Sequence, residues 1–374
     1  MKNAIVIGAG ILGASTAHHL AKLGAKVTVI DNFEKGRATD AAAGIICPWI
    51  SQRRNKAWYT LAKNGAKFYQ TLIPELEQAG EANTGYEKVG AISIHKDIEK
   101  VRKIEERAHT RKIDAPEIGE IKLLTPEETK QLFPVLDDGY YGLFISGAAR
   151  VDGSALRDTL ITRAKKMGAQ FINGKAELVL SNGSTIKVKV GNEVFLPDKI
   201  VITTGAWAKE LVASLGLNFK MHFQKGQIVH LELPNKKTKN WPVIIPPNDQ
   251  YLLTFGENKI VLGATHENDK EFDDTNITAG GILEVLSKGM AIAPGLSDAT
   301  FEEVRVGFRP FTPGFLPVIG QVKGFEQLYM ANGLGASGLT VGPYLGYQLA
   351  KLVLNQVTDI DLELYDVNTA IDQL

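Results

Sequence analysis

A chain of 374 residues, 44% of them hydrophobic, is too long for one small core and predicts two interlocked domains. Its 42 basic residues balance 42 acidic ones, so no net field draws it to nucleic acid or an anionic membrane, and the expected partner is a small molecule. The single cysteine, Cys47, excludes an internal disulfide framework and a cysteine-cluster metal site, so no metal is expected and a reducing, cytoplasmic setting fits.

Met1-Lys2-Asn3 leads straight into an apolar strand, Ala4 to Ile7, with no apolar leader before it. A helix from Ile11 to Leu23 and a second strand from Lys26 to Ile30 complete a βαβ opening, the start of a parallel, doubly wound sheet. Helical spacing returns from Trp58 to Ala79, a strand is expected from Val89 to His95, and a charged helix from Asp97 to Lys112. Thr125-Pro126-Glu127-Glu128 has the capping residue, proline and glutamate spacing of a helix start, and that helix ends at Pro134. Ser154 to Met167 reads as another helix, followed by alternating strands through Lys199 and the buried run Ile200-Val201-Ile202. Between Lys220 and Val306 the pattern changes to strands separated by Pro and Asn/Asp turns, including Tyr251 to Phe255 and Lys259 to Ala264. Leu328 to Ala331 is again a buried strand, and a glycine-rich loop leads from it into a helix from Val341 to Leu354. No apolar run approaches the ~20 residues that cross a bilayer. Peripheral membrane contact and homo-oligomer formation stay open.

Gly8-Ala9-Gly10-Ile11-Leu12-Gly13 sits between the first strand and first helix, where a dinucleotide fingerprint belongs. Gly8 permits the turn, Gly10 lets backbone approach a pyrophosphate, and Gly13 lets helix and sheet pack closely, while the helix amino terminus offers positive dipole to phosphate. Asp31 ends the second strand, in position to accept hydrogen bonds from a ribose diol. A strand-to-helix turn without ligand is the bland alternative, and position, flanking strands and the terminal carboxylate argue against it.

A run of small residues follows, Arg37-Ala38-Thr39-Asp40-Ala41-Ala42-Ala43-Gly44-Ile45-Ile46, which lets backbone lie against a flat ring system. Further on stand Thr203-Thr204-Gly205-Ala206-Trp207, Gly307-Phe308-Arg309-Pro310-Phe311-Thr312-Pro313 and Asn332-Gly333-Leu334-Gly335-Ala336-Ser337-Gly338. In this order they resemble the D-amino-acid oxidase and glycine oxidase family, which includes sarcosine oxidases and D-amino-acid dehydrogenases, over nearly the whole chain. The resemblance implies an FAD-binding, Rossmann-like α/β domain, discontinuous over 1–84, 146–219 and 307–374. It also implies an inserted, mostly antiparallel α+β substrate domain over 85–145 and 220–306.

On that reading FAD is held by Gly8, Ala9, Gly10, Ile11, Leu12 and Gly13, with Asp31 and Asn32 at the ribose. Thr39, Ala42, Ala43, Gly44 and Ile45 form the flavin-side loop, and Ala176 lies near the adenine. Thr204, Gly205 and Trp207 border the cofactor, and Gly333, Gly335, Ala336, Ser337, Gly338 and Leu339 form a second flavin loop whose helix points its positive end at the ring. Sarcosine oxidases resemble one another in a cysteine-linked flavin near the carboxyl terminus, and this chain has no cysteine there, so noncovalent FAD is expected.

The same resemblance gives Arg309 the substrate carboxylate, which calls for a planar bidentate cation, and gives Tyr251 a second hydrogen bond to it, with core packing as the alternative for Tyr251. His266 either faces the cavity, tuning the substrate amine, or lies on the surface. Arg53 and Arg54 form a cavity entrance or, as favoured here, face solvent. The implied reaction is oxidative deamination of a small amino acid, a D-amino acid, glycine or N-methyl glycine, with O2 or a quinone as electron acceptor. A quinone-linked dehydrogenase is the nearest alternative, and a flavin-dependent RNA-modifying oxidase or an FAD-bearing regulator without turnover are more distant ones.

Overall fold

The short apolar stretch Asn3–Ile7 has alternate side chains buried on both faces, so it lies in the middle of a sheet. In the computed structural model, which describes residues 2–181 and 185–373, it pairs in parallel with Lys26–Asp31 on one side and Lys199–Ile202 on the other. Gln170–Asn173 and Leu328–Asn332 extend the sheet in parallel at its two flanks, and Val318–Gln321 closes one edge antiparallel, making six strands. Residues 182–184, inside the alternating stretch expected before Lys199, lie outside the described residues, as do Met1 and Leu374.

One face of this sheet, carrying Ala4 and Val6, packs on the helix Ile11–Lys22, which runs between the helices Gly153–Lys166 and Gly338–Val353. The opposite face, carrying Ile5 and Ile7, is covered by the antiparallel sheet Ala176–Ser181, Thr185–Val190, Glu193–Phe195 and the short helix Ala208–Ala213. The wound parallel sheet is as expected, and its second cover is a sheet rather than a layer of long helices.

Proline chemistry fixes the carboxyl-terminal helix in place. Pro343 lies inside it and lacks the N–H that the Leu339 carbonyl would otherwise accept from. The Tyr69 hydroxyl supplies the missing donor at 2.6 Å. The Ser15 hydroxyl donates to the Pro343 carbonyl at 2.7 Å, so this helix is tied both to the helix Lys56–Gln78 and to the first helix of the chain. The two helix amino termini, at Ile11 and Gly338, open onto one cavity.

A second sheet of eight strands runs in the order Thr300–Phe311, His222–Glu232, Lys259–Gly263, Tyr251–Phe255, Val243–Ile245, Ala91–His95, Tyr141–Ile145 and Ile121–Leu124. All its neighbours are antiparallel except Val243–Ile245 with Ala91–His95. Helix limits follow the caps: Asn55, Asp97, Thr125 and Asp152 each accept from a backbone N–H at a helix start, and Thr125 and Glu128 form the full capping box. One element departs from expectation. Ala279–Ile292, in the stretch read as strands and turns, is a helix capped by Thr278. Its glycines and short apolar runs obscure the helical period, and packing of Val285 and Ile292 on the eight-stranded sheet decides the outcome.

Candidate active site

The strand end at Ile7, the strand end at Ile202 and the loop after Asn332 meet at one cleft, a cavity of about 580 Å³ at the carboxyl ends of the parallel strands, where open α/β sheets place their ligands. Gly8, Gly10, Ile11, Leu12, Asp31, Asn32, Thr39, Ala42, Ala43, Gly44 and Ile45 line it. So do Ala176, Thr204, Gly205, Trp207, Gly335, Ala336, Gly338 and Leu339, contributed by the far parts of the chain. Gly13 does not line it and instead closes the turn beneath: a Cβ there would stand 1.8 Å from the Gly8 carbonyl oxygen. Ala9 is fully buried, and its amide donates to Asp31 Oδ2. The Ile11 amide, the first of the helix, donates to Thr39 Oγ1 at 3.0 Å. Two amides that the glycine pattern would offer to a phosphate therefore already have partners within the protein. Gly333 sits behind the wall against Thr312, and Ser337 accepts from Trp58 Nε1 at 3.0 Å.

Two polar atoms of the cavity wall, Thr204 Oγ1 and Trp207 Nε1, are buried without a hydrogen-bond partner, and Arg37 Nη1 has only the Asp31 carboxylate 3.6 Å away. Unmet buried donors are costly, and their convergence on one cleft beside Asp31 fits a large polar ligand bearing phosphates and a ribose. Asp31 accepts from Phe33 N at 2.6 Å through its other oxygen, and a carboxylate retains further lone pairs for a diol.

At the far end of the cleft the eight-stranded sheet presents a polar row. Arg309 pairs with Gln224 across the sheet, and the strand of Gln224 pairs in turn with Lys259–Gly263, which pairs with the strand beginning at Tyr251. The Arg309 guanidinium folds across Gly226, the diagonal neighbour, where a Cβ would lie 2.8 Å from Nη2. Its Nη1 donates to Gln224 Oε1 at 2.9 Å and to the Thr265 carbonyl at 3.3 Å. No carboxylate forms an ion pair with it among the described residues, so its charge is available to an anion. Burial pushes the Tyr251 hydroxyl pKa up, against the opposing pull of Arg309. His266 and Asp249 share this end of the cavity, with Nδ1 to Oδ2 at 3.6 Å. Burial and then the Arg309 charge lower the His266 pKa, so its ring is neutral near pH 7. Its side chain is 41% exposed, so it faces cavity and solvent together.

Residues 3–352 match the FAD dependent oxidoreductase family, DAO. The chain belongs to that family. It is 58% identical over 366 residues to the oxidoreductase YurR of Bacillus subtilis, covering 98% of each chain. The crystal structure of iminodiacetate oxidase from Chelativorans sp. BNC1 superposes with a TM-score of 0.94 at 44% identity, covering 97% of this chain and 98% of that one. Glycine oxidase from Geobacillus kaustophilus superposes with a TM-score of 0.85 at 25% identity, covering 98% of both. As a DAO family member the protein is an FAD-dependent oxidoreductase. No helix among the described residues is long and apolar enough to cross a membrane.

A second cavity, of about 760 Å³, adjoins the first at Ile45, Ala336 and Thr340, which line both. Arg53 lines it, whereas Arg54 is exposed and lines neither, so the favoured solvent reading holds for Arg54 alone. Cys47 lines it as well, with its thiol pushed up to about 12 by burial.

Residues that sequence reasoning passed over include Arg37, Asp249 and Gly226 in the first cavity. Arg37 stood within the quoted small-residue loop, and its Nε donates to Asp40 at 2.8 Å. Gly226 carried a usable signal, since a glycine inside a strand marks close approach by another group. Asp249 sits in a Pro-Asn-Asp turn and had no local sign of facing a site.

Proposed function

We propose that the chain oxidises the Cα–N bond of a small, glycine-type amino acid, with Arg309 gripping the α-carboxylate. The observation that carries this reading is the placement of an Arg309 guanidinium without a carboxylate partner, among the described residues, in the same cleft as the Gly8–Gly10 turn and the Gly335–Gly338 loop. Bound noncovalently along that cleft, FAD would supply the acceptor for the substrate's α-hydride.

The protein's own groups provide position and electrostatics. Gly8, Gly10 and Asp31 would hold the pyrophosphate and ribose, and Thr204 Oγ1 and Trp207 Nε1 would find partners on the cofactor. The amino terminus of the helix at Gly338 would favour negative charge developing on the ring edge facing it. Arg309, with the Tyr251 hydroxyl beside it, would orient the α-carbon. His266, neutral near pH 7, would accept or steer a proton from the substrate ammonium, which must lose one before its lone pair can expel hydride. The imino product would hydrolyse in water. In this proposal residues 1–84, 146–219 and 307–374 form the FAD unit, residues 85–145 and 220–306 form the substrate unit, and dioxygen is the electron acceptor.

The names of the iminodiacetate and glycine oxidases support an amino acid bearing a primary or secondary amine. Anaerobic titration of the FAD-loaded protein with glycine, sarcosine, iminodiacetate and D- and L-alanine, followed by air, tests the proposal. Bleaching of the flavin band by one of these, with recolouring in air, is expected. Bleaching without recolouring would replace oxygen by another acceptor, and a band that none of them bleaches would overturn the substrate class.

A further inference from the structure

The second cavity is larger than a glycine-sized substrate requires, and its charge is one-sided. Arg53, Lys100, Lys103 and Arg107 line it, and no Asp or Glu does among the described residues, in a chain whose total charge is zero. Of these cations, Arg53, Lys100 and Lys103 appear in no ion pair among the described residues, and Arg107 donates only to the Ile50 carbonyl, at 3.3 Å. A cavity with walls of one sign concentrates counter-ions.

Arg53 is the best-built member. It is half-buried, and its guanidinium carbon lies 4.7 Å from the centre of the Trp58 ring, a stack that holds the fork while leaving its N–H edge free. Trp58 donates through Nε1 to Ser337, in the loop after Asn332. Arg53 is thereby fixed relative to the place where the two cavities meet. The segment Ile245–Asn248 lines the second cavity, and Asp249 and Tyr251, next along the chain, line the first. The two cavities therefore adjoin both at Ile45, Ala336 and Thr340 and along the segment from Ile245 to Tyr251.

Resting on the function proposed above, we propose that the second cavity is an antechamber for a second carboxylate, carried on the nitrogen substituent of the amino-acid substrate and received by Arg53, with Lys103 lining the same cavity. The preferred substrates are then N-carboxyalkyl amino acids, secondary amines that carry two negative charges.

Two substrates isolate the effect, because sarcosine and iminodiacetate differ only in the carboxylate on the N-substituent. The ratio of their kcat/KM values is expected to favour iminodiacetate, and to fall about tenfold or more in Arg53→Gln, the scale of one charge-assisted hydrogen bond. Arg53→Lys should restore part of it. A second arm needs no turnover: calorimetry of the FAD-loaded protein with inert glutarate and butyrate should show glutarate binding more tightly, and Arg53→Gln should erase the difference. If Arg53→Gln does not fold, Lys100→Gln/Lys103→Gln, on exposed side chains, should lower the same ratios. Equal binding of glutarate and butyrate, or unchanged ratios in these variants, would overturn the antechamber. Should no amino acid bleach the flavin, the proposed function falls, yet the calorimetric arm still decides whether this cavity recognises a second carboxylate.

Discussion

Arg309 lies across Gly226, its Nη2 only 2.8 Å from where a Cβ of residue 226 would stand. The cation is positioned by the lack of a side chain on the neighbouring strand, so a single methyl group displaces it. Gly226→Ala is expected to keep the flavin colour and to raise KM for every amino-acid substrate. Arg309→Ala should cost about 2 to 5 kcal/mol in kcat/KM, the range for removing one member of a buried charge pair. Steady-state kinetics on both variants checks this, and unchanged values would remove Arg309 from the substrate.

Gly13 and Asp31 should fail in different ways. A Cβ at position 13 would strike the Gly8 carbonyl oxygen at 1.8 Å and the Thr203 hydroxyl at 2.5 Å, so Gly13→Ala must shift backbone. It should destabilise the fold by about 1–3 kcal/mol or more, and lose FAD with it. Asp31→Ala leaves the turn intact and should weaken FAD retention with a smaller loss of melting temperature. Flavin absorbance after gel filtration, together with thermal melts, separates the two.

His230 makes stability sensitive to mild acid. Burial, with the Arg305 charge next, pushes its pKa down to about 4 from the usual 6.5. The unfolded chain therefore binds a proton that the folded chain refuses between those values, and stability falls as pH drops from 6.5 toward 4. The full effect is about 3 kcal/mol, and it is absent at neutral pH, where both states are unprotonated. His230→Gln should flatten this part of the stability profile in urea melts, and an unchanged slope would assign it to other groups.

Cys47, with its thiol at about 12, should present almost no thiolate at pH 8. A disulfide reagent should modify it slowly in the folded protein and rapidly in urea. Fast reaction of the native protein would contradict the raised thiol pKa.

The first loop and its strands were legible because the constraint is local: Gly8, Gly10 and Gly13 act within one turn, and Asp31 ends the very next strand. The Arg309 and second-loop motifs were legible only as a family pattern, since nothing near Arg309 in the sequence reveals Gly226 or Gln224, which approach it across a sheet. Arg53 was misread toward solvent for the same reason. Its surroundings come from Trp58, the helix bearing Lys103 and Arg107, and the Ile245–Asn248 segment, which meet only in three dimensions. The helix Ala279–Ile292 was hidden by glycines whose weak propensity is overridden by packing.

The six-stranded sheet has a consequence for synthesis. Asn3–Ile7 emerges first, but its neighbours on one side, Lys199–Ile202 and then Leu328–Asn332, are made much later. The first glycine loop cannot acquire its opposite wall until the Gly335–Gly338 turn leaves the ribosome. Pairings so distant in sequence carry a large loop-closure cost and slow folding. A nascent chain stopped before Gly335 is therefore expected to be colourless even with FAD in excess, so that cofactor capture marks arrival of the second loop after the sheet's last strand, Leu328–Asn332, has been made.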